Sequence, residues 1–324
     1  MTAPLLEAKR LTKVFGGRAG PLSRALSAVG LAKPPRPVRA VDGVSFTLPR
    51  GEVLGVVGES GCGKSTLGRM VAGLMKPSGG EILHEGRPGT ASGLDRQMIF
   101  QDPFSSLNPR MRVGELVGEA PRVHRIVSSG DLGSYVDGLM DRCGIDPSVR
   151  ERFAHQFSGG QRQRIGIARA LAVKPELLVC DEAVSALDVS IQAQIVNLFM
   201  DLREEFGLTY LFISHDLGVV RHVSDRIIVM YLGRVVEEGP AEELFDCPNH
   251  PYTKALIEGV PRLDRRRVVY APVKGDMPSP LDPPPGCHFH PRCPFAMDRC
   301  RSEAPTLREI APGRRAACHL NDTH

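Results

Sequence analysis

The chain has 324 residues, of which 42% are hydrophobic and 24% charged, a composition typical of a soluble globular protein. This length allows one large domain, or one domain with an appendage. The formal net charge of +4 is too small to indicate nucleic-acid binding, and no uncharged apolar run approaches the ~18 residues that a membrane-spanning helix needs. The opening residues lack the apolar stretch of a signal peptide, so we expect any membrane role to depend on partner chains.

Apolar strands that alternate with helices predict a largely parallel sheet covered on both faces. The expected strands are Leu5–Phe15, Val41–Leu48, Val53–Val57, Glu81–Leu83, Gln97–Phe100, Leu177–Cys180, Thr209–Ile213 and Ile227–Tyr231, and the expected helices are Leu67–Leu74, Arg162–Val173 and Ile191–Phe206. Gly16–Arg39, rich in Gly, Pro and Arg, is expected to be an irregular insertion. A mostly helical, glycine-broken pattern predicts a helical subdomain at about residues 111–173.

The composition changes beyond about residue 240, where we place a domain boundary. Residues 261–324 contain 11 of the 27 prolines, so this segment cannot be regular helix or sheet throughout. Basic residues are concentrated here and in residues 1–38, which carry seven Lys or Arg against one acidic residue. Such basic ends could contact an acidic membrane surface or a partner, or could simply be solvated.

The stretch GESGCGKST, after the strand Val53–Val57, satisfies the phosphate-loop pattern G-x-x-x-x-G-K-[ST]. Glycines allow backbone N–H groups to turn inward around an anion, and the N-terminus of the next helix adds partial positive charge. We expect the Lys64 ammonium to reach the β and γ phosphates and the Ser65 hydroxyl to hold Mg²⁺. The predicted ATP-binding residues of this loop are Gly58, Glu59, Ser60, Gly61, Cys62, Gly63, Lys64, Ser65 and Thr66.

Two adjacent carboxylates follow the apolar strand Leu177–Cys180. Asp181 is expected to hold Mg²⁺, directly or through water, and Glu182 to polarise the water that attacks the γ-phosphorus. Considered alone, these two carboxylates could simply cap a helix. Because they follow a phosphate loop in the chain, they predict ATP hydrolysis.

The sequence Ser158-Gly159-Gly160-Gln161 places a hydroxyl and two glycine amides at the start of a predicted helix. It is a second candidate anion site, in which Ser158 also has the local role of a helix N-cap. One chain rarely needs two such sites for one triphosphate. We therefore expect two cassettes to pair head to tail, so that this segment closes on the γ-phosphate held by the opposite subunit.

The order and spacing of these motifs resemble the ATP-binding subunits of ATP-binding-cassette (ABC) transporters over residues 5 to about 240. Beside the motifs above, the resemblance includes IFQDP, FSGGQ, LLVCDE, SALD and ISHD. It implies an α/β fold, namely a P-loop NTPase cassette at residues 1–240 with a mostly parallel sheet core and an inserted helical subdomain. The remaining residues, 241–324, would form a small, irregular Cys/Pro-rich C-terminal extension.

The same resemblance assigns roles to four further residues. Phe15 would stack on adenine, and Gln101 would contact Mg²⁺ and sense the transmembrane partner. Asp188 would couple the two sites across the dimer, and His215 would contact the γ-phosphate. From the residues alone, Phe15 could instead be core packing at a strand end, and His215 a core histidine.

The sequence NHPYTKAL, together with residues 99–110 and 181–198, resembles the ATPases of oligopeptide and dipeptide importers. This resemblance implies two transmembrane permease subunits, a second ABC ATPase subunit that is a paralogue or a second copy, and an extracellular solute-binding protein. The chain would lie peripherally at the cytoplasmic face of the cell membrane and power the uptake of short peptides. Nickel chelates or another small solute are the alternative cargo.

Four cysteines crowd into 32 residues with the spacing C-x5-C-x6-C-x17-C, namely Cys287, Cys293, Cys300 and Cys318. Four thiolates could bind a [4Fe–4S] cluster or a tetrahedral Zn²⁺. The close Cys pair of a zinc site is missing. Because some peptide-importer tails hold an iron–sulfur cluster, the resemblance favours a structural [4Fe–4S] site, with Zn²⁺ as the alternative and no metal as the third interpretation.

Two functions from other classes compete with transport. An ABC-type ATPase that acts on nucleic acid would share the ATP site, but the chain has no long heptad insertion or broad basic face, and its middle is net acidic. A P-loop kinase would leave SGGQ unexplained. We therefore expect an ATPase that does not bind nucleic acid.

Overall fold

The structure is a computed structural model that describes residues 3–16, 37–88, 93–102, 106–259 and 275–322. The insertion predicted at Gly16–Arg39 lies mostly outside these residues. The strands are β1 Leu6–Phe15, β2 Val38–Leu48, β3 Val53–Val57, β4 Gly79–His84, β5 Arg87–Pro88, β6 Arg96–Ile99, β7 Leu177–Asp181, β8 Thr209–Ile213, β9 Arg226–Tyr231, β10 Arg234–Pro240, β11 Arg308–Ala311 and β12 Arg314–Ala316. The helices are α1 Lys64–Val71, α2 Val113–Val123, α3 Leu132–Arg142, α4 Gly159–Leu171, α5 Val189–Phe206, α6 Leu217–Val223, α7 Ala241–Asp246, α8 Pro251–Glu258 and α9 Asp298–Ser302.

The larger sheet has the strand order β11-β12-β10-β9-β3-β8-β7-β6. The five strands from β9 to β6 are parallel, which confirms the predicted parallel core. Every residue of β3, β7 and β8 is buried, as continuous apolar runs require in a sheet that is covered on both faces. Because the strands are parallel, the residues that follow β3, β8, β7 and β6 meet at one edge.

Two layers cover this sheet. On one face, α1 lies between the larger sheet and a smaller antiparallel sheet of order β2-β1-β4-β5, with Leu67 and Met70 packed among the side chains of both. On the other face, α4, α5 and α6 share a second apolar core with the alternate side chains of the same strands. The helices α2, α3 and α4 form a helical region. Its buried residues, such as Leu116 and Leu139, belong to the same second core.

The C-terminal residues continue the larger sheet. The hairpin of β11 and β12 pairs with β10 through Glu237 opposite Ala316 and Glu238 opposite Arg315. The rest of residues 275–322 consists of the short helix α9, two 3₁₀ turns and loops. Within the described ranges, no helix is long and apolar enough to cross a membrane.

Three helices begin earlier than the apolar pattern predicted. α1 begins at Lys64 rather than Leu67, α4 at Gly159 rather than Arg162, and α5 at Val189 rather than Ile191. The reason is physical, because apolar periodicity marks only the turns that face a core. The first turns of these helices carry the sequence motifs instead, and the side chains of Ser158 and Asp188 cap the starts of α4 and α5.

Candidate functional site

The loop between β3 and α1 has a conformation that requires glycine at two positions. Gly58 has φ +150° and Gly63 has φ +108°. A Cβ at Gly58 would lie 2.2 Å from the Met230 carbonyl oxygen, and one at Gly63 would lie 2.0 Å from the Ala40 carbonyl oxygen. Among the described residues, no side chain caps α1, so the N–H groups of its first turn remain available to an anion.

Lys64 is the first residue of α1, and its side chain turns back into this loop. Its side chain is buried, and its Nζ donates hydrogen bonds to the carbonyl oxygens of Gly58 at 2.7 Å and Glu59 at 3.0 Å. A buried ammonium held by two carbonyls is a compact positive charge at the centre of the loop. This arrangement fits the phosphate chain of a nucleotide.

Ser65 and Asp181 place two oxygen atoms side by side. The Ser65 Oγ donates a hydrogen bond to Asp181 Oδ1 at 2.8 Å, which joins the start of α1 to the end of β7. Asp181 is buried, and burial raises the pKa of its carboxyl, an effect that the hydrogen bond from Ser65 opposes. A hydroxyl beside a carboxylate suits Mg²⁺, which prefers oxygen ligands and would favour the ionised form of Asp181.

Glu182 turns sharply away from β7. Its φ of +51° is in the left-handed region, which is rare for a residue other than glycine, and its N–H donates to the Ile213 carbonyl oxygen at 2.9 Å. The turn directs its carboxylate toward the residues that follow β8, where His215 Nδ1 lies 3.5 Å from Glu182 Oε1. Asp181, Glu182 and His215 therefore gather beside the phosphate loop. The His215 side chain is 58% exposed, so it is not the core histidine of the alternative interpretation.

Gln101 and Phe15 are exposed. Gln101 follows β6, in which Ile99 pairs with Cys180, so it lies at the same edge of the sheet as Glu182. Phe15 ends β1 with 40% of its surface exposed, and Lys13 Nζ lies 5.5 Å from the centre of its ring. An aromatic ring in this position is not core packing.

The SGGQ segment begins α4 with reciprocal hydrogen bonds. The Ser158 Oγ accepts from the Gln161 N–H at 3.4 Å, and Gln161 Oε1 accepts from the Ser158 N–H at 3.0 Å, which is a capping box. Asp188 caps α5 by accepting from the Ile191 N–H at 3.0 Å. The two helix starts lie close together. The space beside Gly160 is filled by Ile191, since a Cβ added at Gly160 would lie 2.5 Å from Ile191 Cγ2. Both Ser158 and Asp188 are exposed, so both can meet a second subunit.

Two residues of the C-terminal region contact the phosphate loop, and the sequence patterns did not predict either contact. The Glu59 N–H donates to Tyr252 Oη at 2.8 Å. Arg292 donates from both terminal nitrogens to the Glu59 carboxylate, at 2.7 and 2.9 Å. The signal for Tyr252 was its place in NHPY, whereas nothing in the spacing of Arg292 pointed to the loop.

The four clustered cysteines do not form a ready metal site. In the part of the chain that the structure describes, no group of three or more His, Cys, Asp or Glu side chains could hold a metal ion. The ligand geometry thus gives no support to the expected iron–sulfur site. Burial raises the pKa of the Cys318 thiol to about 11. Cys287, Cys293 and Cys300 contribute to that rise, so the four thiols lie near one another.

His250 makes folding stability depend on pH. It is buried, its Nδ1 accepts from the Tyr252 N–H at 3.1 Å, and burial lowers its pKa to about 3. Because the fold favours the neutral ring, this contribution to stability is complete above pH 6.5 and is lost as the pH falls toward 3. The loss approaches ~1.4 kcal/mol per pH unit.

We expect His250→Asn, which keeps a capping side chain but does not titrate there, to remove this part of the pH dependence. Denaturant unfolding of both proteins at pH 7.0, 6.0 and 5.0 measures it. Equal slopes for the wild type and the variant would contradict the burial of a neutral His250.

The fold and the site together define a P-loop ATPase of the ABC cassette class. The ABC transporter family matches residues 41–185, and the family of C-terminal regions of oligopeptide/dipeptide transporters matches residues 236–300. The chain is 48% identical to the oligopeptide transport ATP-binding protein AppF of Bacillus subtilis, covering 98% of this chain and 97% of that protein. It is 45% identical to the dipeptide transport ATP-binding protein DppF of Haemophilus influenzae, covering 97% of this chain and 96% of that protein.

Solved structures agree with this class. The cassette cbiO1 of Clostridium perfringens matches with a TM-score of 0.63 and 28% identity, over 76% of this chain and 92% of that one. The cassette MJ0796, solved as a dimer bound to ADP and Pi, matches with a TM-score of 0.61 and 26% identity, over 73% of this chain and 98% of that one. The chain belongs to the ATP-binding subunits of ABC transporters, within their oligopeptide/dipeptide group, and its chemistry is the hydrolysis of ATP.

Proposed function

We propose that this protein powers an ABC importer for dipeptides, oligopeptides or similar solutes. The observation that carries the proposal is the full-length similarity to peptide-transport ATP-binding proteins, which includes the C-terminal region. The protein would act at the cytoplasmic face of the membrane with two permease subunits and a second cassette, and an extracellular solute-binding protein would deliver the cargo. The cassette does not contact the solute in this arrangement, so nickel chelates or another small solute remain the alternative cargo.

Within the nucleotide site, each described contact supports a role. The loop amides and Lys64 would bind the phosphates, and Ser65 and Asp181 would hold Mg²⁺, with Gln101 nearby at the sheet edge. Mg²⁺ would neutralise charge on the β and γ phosphates. Glu182 would accept a proton from the attacking water, since its turned backbone directs the carboxylate to the edge where His215 lies.

Hydrolysis would require two cassettes. Ser158, Gly159 and Gly160 present a hydroxyl and amides on an exposed helix start, and Asp188 presents a second exposed start beside it. In a head-to-tail pair, the Ser158 segment would close on the γ-phosphate bound by the opposite subunit. ATP would then favour the closed pair and ADP the open one, and this difference in binding would do work on the permeases.

We also propose that the four C-terminal cysteines bind a [4Fe–4S] cluster, with Zn²⁺ as the alternative. Support comes from a shared turn, in which the carbonyl oxygens of Cys287, Cys293 and Cys318 accept from the N–H three residues later at 3.0, 3.3 and 3.2 Å. At each of these cysteines, the N–H two residues later also donates to the thiol. Repeated N–H donation to sulfur is the kind of support that a thiolate ligand needs.

The cluster proposal predicts the metal and sulfide content of the purified protein. Anaerobically purified protein is expected to contain about four iron and four sulfide per chain, as one cluster requires. The triple variant Cys287→Ser/Cys293→Ser/Cys318→Ser should contain neither, while Cys247→Ser, at an exposed cysteine outside the cluster, should keep both. Zinc without iron in the wild type, or no metal at all, would refute the cluster.

A transport assay tests the proposed function. The cassette would be co-expressed with its permeases and second cassette, reconstituted in vesicles with the solute-binding protein, and supplied with MgATP. We expect ATP-dependent uptake of a labelled di- or oligopeptide. Uptake of nickel alone would select the alternative cargo, and MgATP hydrolysis that responds to DNA but not to any solute would support a nucleic-acid-associated ATPase.

A further inference from the structure

Glu59, the second residue of the phosphate loop, is held from three directions. Its N–H donates to Tyr252 Oη at 2.8 Å, and its carbonyl oxygen accepts from Lys64 Nζ at 3.0 Å. Its carboxylate accepts two hydrogen bonds from the Arg292 guanidinium, at 2.7 and 2.9 Å. Two of these three partners come from the C-terminal region rather than from the cassette core.

The partners are themselves rigidly placed. The Arg292 side chain is 5% exposed, and Tyr252 is fully buried. Phe289, Tyr231 and Tyr252 form an aromatic cluster with ring centres 4.7 to 5.4 Å apart, and Arg292 also donates to Tyr231 Oη at 3.4 Å. A buried, two-point guanidinium–carboxylate contact in this packing fixes both position and orientation.

The phosphate loop also approaches β9 at Gly58. A Cβ added at Gly58 would lie 2.2 Å from the carbonyl oxygen of Met230, the residue before Tyr231 in β9. The loop therefore lies close to β9 at Gly58 and is bonded to the C-terminal residues at Glu59, so a shift at Glu59 would break the contact with Arg292.

From these contacts we propose that the C-terminal region is a clamp on the phosphate loop, in which Arg292 and Tyr252 are positioning residues for ATP binding. Arg292 holds the Glu59 carboxylate, so that this negative charge is neutralised next to the site of a triphosphate. Tyr252 holds the Glu59 amide, so that the loop keeps its turn. Since Arg292 immediately precedes Cys293, the clamp ties the cysteine-bearing segment directly to the ATP site.

The expected effect is on nucleotide affinity rather than on the chemical step. Without Arg292, an unpaired carboxylate would face a highly charged anion at short range, and the loop would lose a fixed point. We expect Arg292→Met to raise the KM for MgATP, and the Kd for a fluorescent ATP analogue, about tenfold, a change that corresponds to ~1.4 kcal/mol. The kcat at saturating MgATP should change less than about twofold, because neither residue reaches the reacting atoms.

The test uses the complete transporter and a set of matched variants. Arg292→Lys keeps the charge but loses the two-point contact, and it should raise the KM by about threefold. Arg299→Met is the control, because Arg299 also precedes a cysteine in the same region, but it pairs with Glu303 and Asp322 instead of the loop. The decisive variant is Glu59→Gln/Arg292→Met, in which no unpaired carboxylate remains. It should recover most of the affinity that Arg292→Met loses.

Recovery in the double variant is something that a general loss of stability would not produce. Thermal unfolding of each variant, run in parallel, identifies the temperature range in which all are folded. A KM for Arg292→Met within twofold of that for Arg299→Met would overturn the clamp, as would a double variant no better than Arg292→Met. This inference rests on the proposed ATP site, and the two are separable, because a wild-type protein that binds no MgATP would refute the site itself.

Discussion

Glu182→Gln is expected to lower the rate of ATP hydrolysis about 10³-fold while ATP binding remains. The glutamine amide keeps the shape of the side chain but cannot accept a proton from the attacking water. The phosphate loop, Lys64 and the Ser65–Asp181 pair are untouched by this change, so the nucleotide should still bind. Because hydrolysis normally reopens the pair of cassettes, the variant should also accumulate the closed, ATP-bound state.

Single-turnover hydrolysis and retention of labelled ATP after gel filtration measure both effects. Glu176→Gln is a suitable control, since Glu176 precedes the first residue of the same strand, at its opposite end, and pairs with Arg50 and His84. We expect this control to hydrolyse ATP at close to the wild-type rate. Near-normal hydrolysis by Glu182→Gln would remove Glu182 from the catalytic role.

Ser158→Asp should slow hydrolysis strongly by a different route. Aspartate is as good an N-cap as serine, so α4 should keep its start and the protein its stability. A carboxylate in this position would, however, face the γ-phosphate of the opposite cassette, and like charges at contact distance prevent closure. We expect turnover to fall at least about 100-fold, which would follow from ~2.7 kcal/mol of lost closure energy.

Ser158→Asn separates charge from capping, because it retains the cap without the negative charge. Its turnover should lie well above that of Ser158→Asp, and the unfolding temperatures of the two should agree. MgATP affinity, measured for the isolated chain at low concentration, should be the same as in the wild type for both variants, since Ser158 lies outside the phosphate loop. Equal turnover for Ser158→Asp and the wild type would show that the segment does not meet a γ-phosphate.

The local parts of the ATP site could be predicted because each depends on a short stretch of sequence. The pattern of Gly58, Gly63 and Lys64 encodes a loop conformation, and an apolar run ending in Asp181 and Glu182 encodes a buried strand that delivers carboxylates to the sheet edge. Parallel pairing then brings these two stretches together through Ser65 and Asp181, although 116 positions separate them.

Contacts made by the C-terminal region could not be predicted in this way. Arg292 reaches Glu59 across 233 positions, and no periodicity or motif links the two. The contact exists because the hairpin of β11 and β12 extends the larger sheet and because Phe289 packs against Tyr231 and Tyr252. Sequence patterns describe the local conformation of each stretch, whereas this contact depends on how distant stretches dock.

The cysteines show the same difference between what local sequence patterns predict and what depends on the docking of distant stretches. Their spacing predicted a cluster in space, and the four thiols do lie near enough to affect one another. Ligand distances depend on the packing of α9 and of the turns at Cys287, Cys293 and Cys318, which spacing does not determine. The chemical analysis of metal content is therefore the appropriate test of that site.

The central claim is that amides and hydroxyls from two cassettes hold one γ-phosphate. A structure of the complete transporter carrying Glu182→Gln, trapped with MgATP, tests it most directly. The account predicts the Ser158 hydroxyl and the Gly160 N–H within hydrogen-bond distance of the γ-phosphate that the Lys64 loop of the opposite cassette holds. ATP bound at both phosphate loops, with the Ser158 segments remote from either nucleotide, would contradict it.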